Sequence, residues 1–215
     1  MTSTARPPEP ARIAVFARAP VPGAVKTRLA AALGDAGAAR LHEDLVRHAL
    51  ETATLSEAGA VELWCAPDAT HPFFEECARS FGVALRTQSG ADLGERMQNA
   101  AAHAHAAGRS IVIVGADCPA LTPSHLRIAA NALRAHDAVL IPAEDGGYVL
   151  VALAKPVNGL FAGIRWGGDT VMEDTRARLA AAGVHWLELP PLWDVDRPED
   201  YARLQHEELL SRERA

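Results

Sequence analysis

The stretch Ile111-Val112-Ile113-Val114-Gly115-Ala116-Asp117-Cys118-Pro119 restricts the architecture of this chain more than any other. Four consecutive β-branched residues suit a strand buried on both faces, of the kind found at the centre of a parallel sheet. The strand runs into Gly115 and a carboxylate at Asp117, and Pro119 stops further pairing. In open α/β sheets ligands bind beyond the carboxyl ends of central strands, so Asp117 stands where a site is expected. The alternative is that Asp117 only accepts loop amides, as aspartates after strands commonly do. Thr122 and Pro123 then supply an N-cap and a first-turn proline for the next helix.

Around this strand, apolar runs alternate with helical patterns. Strands are expected over 13–17, 61–65, 83–87, 138–141, 148–153 and 185–189. Helices are expected over 35–56, 72–81, 92–107 and 123–135, then from a Thr170–Glu173 capping box to Gly183, and from Pro198 onward. The alternation implies a mainly parallel α/β sheet covered on both faces. The run 148–153 follows its predecessor through a turn too short for a parallel crossover, so it is expected to be antiparallel to a neighbour. A length of 215 residues with 49% hydrophobic content suits one domain, placed at 12–212, with residues 1–11 as a frayed tail.

Charge and composition narrow the function. Acids outnumber bases 27 to 21, and no Lys/Arg-rich block occurs, which argues against a nucleic-acid or anionic-membrane surface. No apolar run reaches membrane-spanning length, and the polar, proline-rich start does not resemble a signal peptide. Cys65, Cys77 and Cys118 are odd in number and widely spaced, unlike a disulfide framework or a zinc site. A cytoplasmic protein is expected. Nothing in the sequence specifies an oligomer.

The candidate chemistry lies in loops. After the first strand, Ala17 and Arg18 lead into a turn fixed by two prolines and Gly23, followed by Lys26, Thr27 and Arg28. Backbone amides, a helix start and two exposed cations suit a phosphate, so this loop is the expected nucleotide-binding face. It resembles the end of a P-loop but lacks the adjacent Gly-Lys pair, which rules out Walker A. In Asp194-Val195-Asp196-Arg197-Pro198, two carboxylates two residues apart place one inward and one outward. Asp196 is either a helix N-cap or, with Asp117, a ligand for Mg²⁺ or Mn²⁺ completed by substrate phosphates. Around Asp92-Leu93-Gly94-Glu95-Arg96-Met97, Gly94 would let a flat base approach the backbone, although a helix-start loop explains it nearly as well. Asp145, Gly146 and Gly147, with Trp166 before its own glycine pair, are candidates for the acceptor pocket.

These motifs together resemble the DUF2064 family, also called the radical-SAM/selenodomain-associated transferase 1 family. The resemblance rests on Phe16 to Leu29, Asp92 to Met97, Gly115 to Pro119, Asp145 to Tyr148 and Asp194 to Asp200, in the family's order. It implies a three-layer α/β/α sandwich with a mixed, mostly parallel sheet, of the GT-A-like nucleotide-diphospho-sugar transferase type, similar to phospholactate guanylyltransferase. It further implies Asp117 and Asp196 as metal ligands, with Lys26 and Arg28 facing the donor phosphates. Where the family reads Trp-Ser-Thr-Asp-Thr, this chain has Trp166-Gly167-Gly168-Asp169-Thr170, without the two hydroxyls.

The expected activity is Mg²⁺-dependent nucleotidyl transfer from a nucleoside triphosphate to a small phosphorylated acceptor, with Lys26, Arg28 and Asp117 catalytic. One alternative is a glycosyltransferase using a nucleotide-sugar, with Asp145 as its base. Another is a non-catalytic nucleotide-binding module.

Overall fold

The computed structural model describes residues 10–207, 209 and 210. Its strands are β1 (Ala11–Arg18), β2 (Gly59–Ala66), β3 (Ala84–Thr87), β4 (Ile111–Gly115), β5 (Ala138–Pro142), β6 (Tyr148–Leu153) and β7 (Trp186–Glu188). The α-helices are α1 (Ala30–Leu55), α2 (Pro72–Phe81), α3 (Leu93–Ala106), α4 (Pro123–Ala132), α5 (Val171–Ala181) and α6 (Pro198–Glu207). A 3₁₀ turn, Thr27–Leu29, precedes α1. Up to residue 9 the expected tail lies outside the described residues, as do 211 and 212 at the other end; Ala11 already belongs to β1.

The strands form a seven-stranded sheet of order β3-β2-β1-β4-β6-β5-β7. β6 is antiparallel to both β4 and β5, and every other pairing is parallel. The sheet is therefore mixed and mostly parallel, and β4 lies at its middle. Period-two alternation divides the core. Val112 and Val114 of β4 pack with Val46 and Leu50 of α1, Phe74 of α2 and Leu126 of α4. Ile111 and Ile113 pack on the opposite face with Met97 and Ala101 of α3 and Leu179 of α5. The result is the expected three-layer α/β/α arrangement. A smaller cluster docks Trp193, Val195 and Leu204 against Leu29, Leu41 and Leu45, fastening α6 to α1.

Side-chain caps explain where α2, α3 and α4 begin. The Asp92 carboxylate accepts from Glu95 N at 2.9 Å, and Thr122 forms a reciprocal box with His125 ahead of Pro123. α1 is broken at Gly34 (φ 66, ψ 163): a short helical stretch precedes it, and the helix expected from Asp35 runs on beyond it. One expectation is corrected. Thr170 makes no side-chain cap bond: its backbone is already helical (φ −101, ψ 0), whereas a capping threonine needs an extended one.

Candidate active site

Because every strand except β6 points the same way, the loops after β1, β4 and β7 and the β5–β6 turn meet at one edge of the sheet. Lys26 is their junction. Its Nζ lies 2.6 Å from Asp117 Oδ1 and donates to the Val195 carbonyl at 2.6 Å. Its side chain is only 6% exposed. The expectation of an exposed lysine is thus wrong. Val25 and Leu29 bury themselves on either side, and Lys26 between them takes a left-handed backbone (φ 48, ψ 39). Arg28 remains 61% exposed and pairs with Asp196. Val195 N closes the circuit by donating to the Asp117 carbonyl at 2.8 Å.

The amides at the start of α6 are taken by Asp200 Oδ2, at 3.0 Å from Asp196 N and 2.7 Å from Arg197 N. The Asp196 carboxylate is therefore directed to Arg28 and not to capping. Helix α1 supports the same edge from below: His42 Nε2 donates to the Arg18 carbonyl at 3.0 Å, and His48 Nε2 to that of Pro119 at 3.0 Å. Ala17 is buried, its carbonyl accepting from the Gln88 side chain at 3.2 Å, while Arg18 and Gly23 lie exposed on the outer turn.

Charge is unevenly compensated here. Desolvation pushes the Asp117 carboxyl up, but the Lys26 ammonium and His42 outweigh it and hold the group below its usual range. His42, with Nδ1 4.0 Å from Asp117 Oδ1, is lowered by burial against the pull of that carboxylate. Asp194 is pushed up to about 6 by burial and by the neighbouring charges of Asp145 and Asp117. Sequence reasoning gave His42 no role and named Asp194 only as the other carboxylate of the pair with Asp196. His42 sits in an ordinary helical pattern without any local signal. Asp194 had one, its place two residues before Asp196.

The other wall is built by close backbone contact. Gly146 (φ 93) packs on Asp169, whose carbonyl oxygen would lie 2.1 Å from an added Cβ. Its own carbonyl accepts from Met172 N at 2.8 Å. Asp145 Oδ1 accepts from Gly147 N at 2.9 Å, an ordinary turn bond. Trp166 meets Tyr148 edge to face at 6.3 Å between ring centroids. Gly94 is buried beneath it, where a Cβ would lie 2.4 Å from the Phe161 carbonyl oxygen and 2.9 Å from the Trp166 ring. Packing alone thus requires the absent side chain at Gly94.

Between the two walls lies a cleft of about 430 Å³, whose lining includes Arg28, Asp145, Asp169, Asp194, Asp196 and Arg197. A larger depression of about 780 Å³ opens at the opposite edge of the sheet and carries none of the motifs singled out above. The crowding of Asp145 and Asp117 around a half-buried Asp194 is suited to a divalent cation. Asp117 with Asp194 or Asp196 would be its protein ligands. Among the described residues no three His, Cys, Asp or Glu side chains form a metal-binding group alone. Such a shell fits an ion completed by phosphate oxygens.

The family described as an uncharacterized protein conserved in bacteria (DUF2064) matches residues 49–168. A protein from Desulfovibrio desulfuricans, assigned as a nucleotide-diphospho-sugar transferase, is 32% identical, with 88% of this chain and 83% of that chain covered at a TM-score of 0.80. A cytidylyltransferase from Leptospira borgpetersenii is similar in fold at 14% identity, covering 96% and 99% of the two chains at a TM-score of 0.60. Rv0371C of Mycobacterium tuberculosis, solved in complex with manganese, is 20% identical, covering 91% and 98% at a TM-score of 0.53. No curated protein matches the chain.

Proposed function

The chain belongs to the DUF2064 family, and from that premise we propose that it is a metal-dependent nucleotidyltransferase taking a nucleoside triphosphate donor. The observation that carries the reading is the pairing of two cations of one phosphate-type loop with two carboxylates, Lys26 with Asp117 and Arg28 with Asp196. A donor triphosphate would lie over the loop 18–28, its terminal phosphates toward Arg28 and the backbone amides of the turn. The bond from the α-phosphorus to the pyrophosphate breaks as the acceptor oxygen bonds to that phosphorus. Arg28 then neutralises the departing pyrophosphate. A divalent ion held by Asp117 with Asp194 or Asp196 would supply positive charge at the phosphates. The fold shared with a cytidylyltransferase and with a manganese-holding protein supports both parts.

The acceptor is a small molecule bound in the cleft beside Asp145 and Gly168, whereas the Trp166 ring packs on Tyr148 and Gly94 behind that wall. A phosphorylated acceptor finds cations along the cleft at Arg28 and Arg197, so its phosphate belongs at that end. Asp145, whose Oδ1 accepts from Gly147 N, would be the base in the glycosyl-transfer alternative. That alternative draws support from the name of the Desulfovibrio relative. The cytoplasm is the setting we infer, consistent with three unpaired, buried cysteines and, among the described residues, no helix long and apolar enough to cross a membrane. The test is product analysis with Mg²⁺, nucleoside triphosphates, nucleotide-sugars and candidate acceptors. Acceptor-dependent pyrophosphate is expected. Nucleoside diphosphate from a nucleotide-sugar, with no pyrophosphate from any triphosphate, would overturn the reading in favour of glycosyl transfer.

A further inference from the structure

Lys26 occupies a place that its sequence context does not suggest. A cation meant only to grip phosphate would extend into solvent, as Arg28 does. Lys26 instead has a side chain 6% exposed, with its ammonium on Asp117 Oδ1 and on the Val195 carbonyl. Asp117 Oδ1 is itself sealed from solvent and makes no hydrogen bond beyond this ion pair, while 45% of the Asp117 side chain stays exposed. The left-handed backbone at Lys26 is a conformation that non-glycine residues adopt rarely and at a cost. The fold thus spends strain to put an ammonium against the carboxylate that would hold the metal.

We propose that Lys26 is a stand-in cation: it neutralises Asp117 before a divalent ion binds and moves to the donor phosphates as that ion takes its place. Resting on the metal assignment above, this makes Lys26 a positioning residue that couples two binding events. Metal alone must compete with a fixed ammonium at its own ligand. Phosphate alone must draw that ammonium from a carboxylate. Together, each removes the obstacle to the other, so ion and donor phosphates bind with positive cooperativity.

The consequence is testable without turnover. In calorimetric titrations with Mn²⁺ alone, Lys26→Gln should bind the ion about tenfold more tightly than wild type, because a like charge beside the ligand has gone. In EDTA, with inorganic pyrophosphate as probe, Asp117→Asn should bind about tenfold more tightly than wild type, because Lys26 is released. That gain should vanish in the Lys26→Gln/Asp117→Asn double variant and be smaller in Asp145→Asn, which removes a cleft carboxylate that Lys26 does not touch. Mn²⁺ binding lost in Asp117→Asn but no tighter in Lys26→Gln would overturn the exchange and leave the metal assignment standing. Mn²⁺ binding unchanged in Asp117→Asn would overturn both. If Lys26→Gln does not fold, the Asp117→Asn arm decides: pyrophosphate bound no more tightly than by wild type sinks the proposal.

Discussion

The two walls of the cleft are held by different forces. On the donor wall, segments far apart in sequence are joined by charge, with Arg28 and Asp196 separated by 168 residues. On the acceptor wall, glycines let backbones touch, with Gly146 against Asp169 and Gly94 against Phe161 and Trp166. Charge contacts can be exchanged for a ligand of the same sign, so under the proposed function the donor wall would rearrange on binding. Steric contacts offer no such exchange. The acceptor wall is accordingly a fixed mould, and substitutions there should act on folding before they act on binding.

That contrast can be broken most forcibly at Asp117. Asp117→Asn should lower the turnover rate by a factor of roughly 10²–10³, comparable with removing a group that stabilises transition-state charge, while the circular dichroism spectrum stays native. Full turnover at matched Mg²⁺ would show that Asp117 merely ties its loop. Gly146→Ala should have the next largest effect, here on stability. A methyl group 2.1 Å from a backbone oxygen at φ 93 should cost about 2–4 kcal/mol, read as a lower midpoint in urea unfolding. An unchanged midpoint would mean that the turn relaxes and the mould is softer than it looks. Arg28→Ala should weaken triphosphate binding by about 1.5–3 kcal/mol yet change unfolding stability by less than about 1 kcal/mol, since its ion pair is exposed. Equal losses in both measurements would erase the distinction between the walls. Smallest of all, Thr170→Ala should leave stability within about 0.5 kcal/mol, whereas Thr122→Ala should cost about 1 kcal/mol through its cap. Thermal unfolding of the pair checks this.

The difference between Thr122 and Thr170 also shows what a sequence can disclose. Both precede a helix, and both have a suitable partner three residues on. Only the backbone angle at the threonine separates them, and Met172, tied to the Gly146 carbonyl, belongs to a contact from another part of the chain. Local signals behaved well: α2 and β6 have the bounds read from the sequence, and the short turn before β6 correctly implied antiparallel pairing. The loops bearing Asp117, Asp196, Asp145 and Trp166 were likewise legible, because strand ends and glycine turns mark them. What lay beyond reach was long-range. Burial of Lys26 depends on Val195, the position of His42 depends on how α1 lies beneath the sheet edge, and the need for Gly94 depends on Trp166. In each case the deciding neighbour is more than 20 residues away and carries no mark in the surrounding sequence.

The docking of Trp193 and Val195 onto α1 has a consequence for the history of each molecule. During synthesis Lys26 emerges early, Asp117 near the middle of the 215 residues, and the segment bearing Val195, which completes their circuit, comes late. At roughly 5–20 residues per second, on the order of ten to thirty seconds pass between the making of Arg28 and that of Asp196. Through that interval the sheet can assemble strand by strand while its edge stays open. A protein cut short before that segment would keep much of its core and lose the Lys26–Val195 and Arg28–Asp196 contacts that close the cleft.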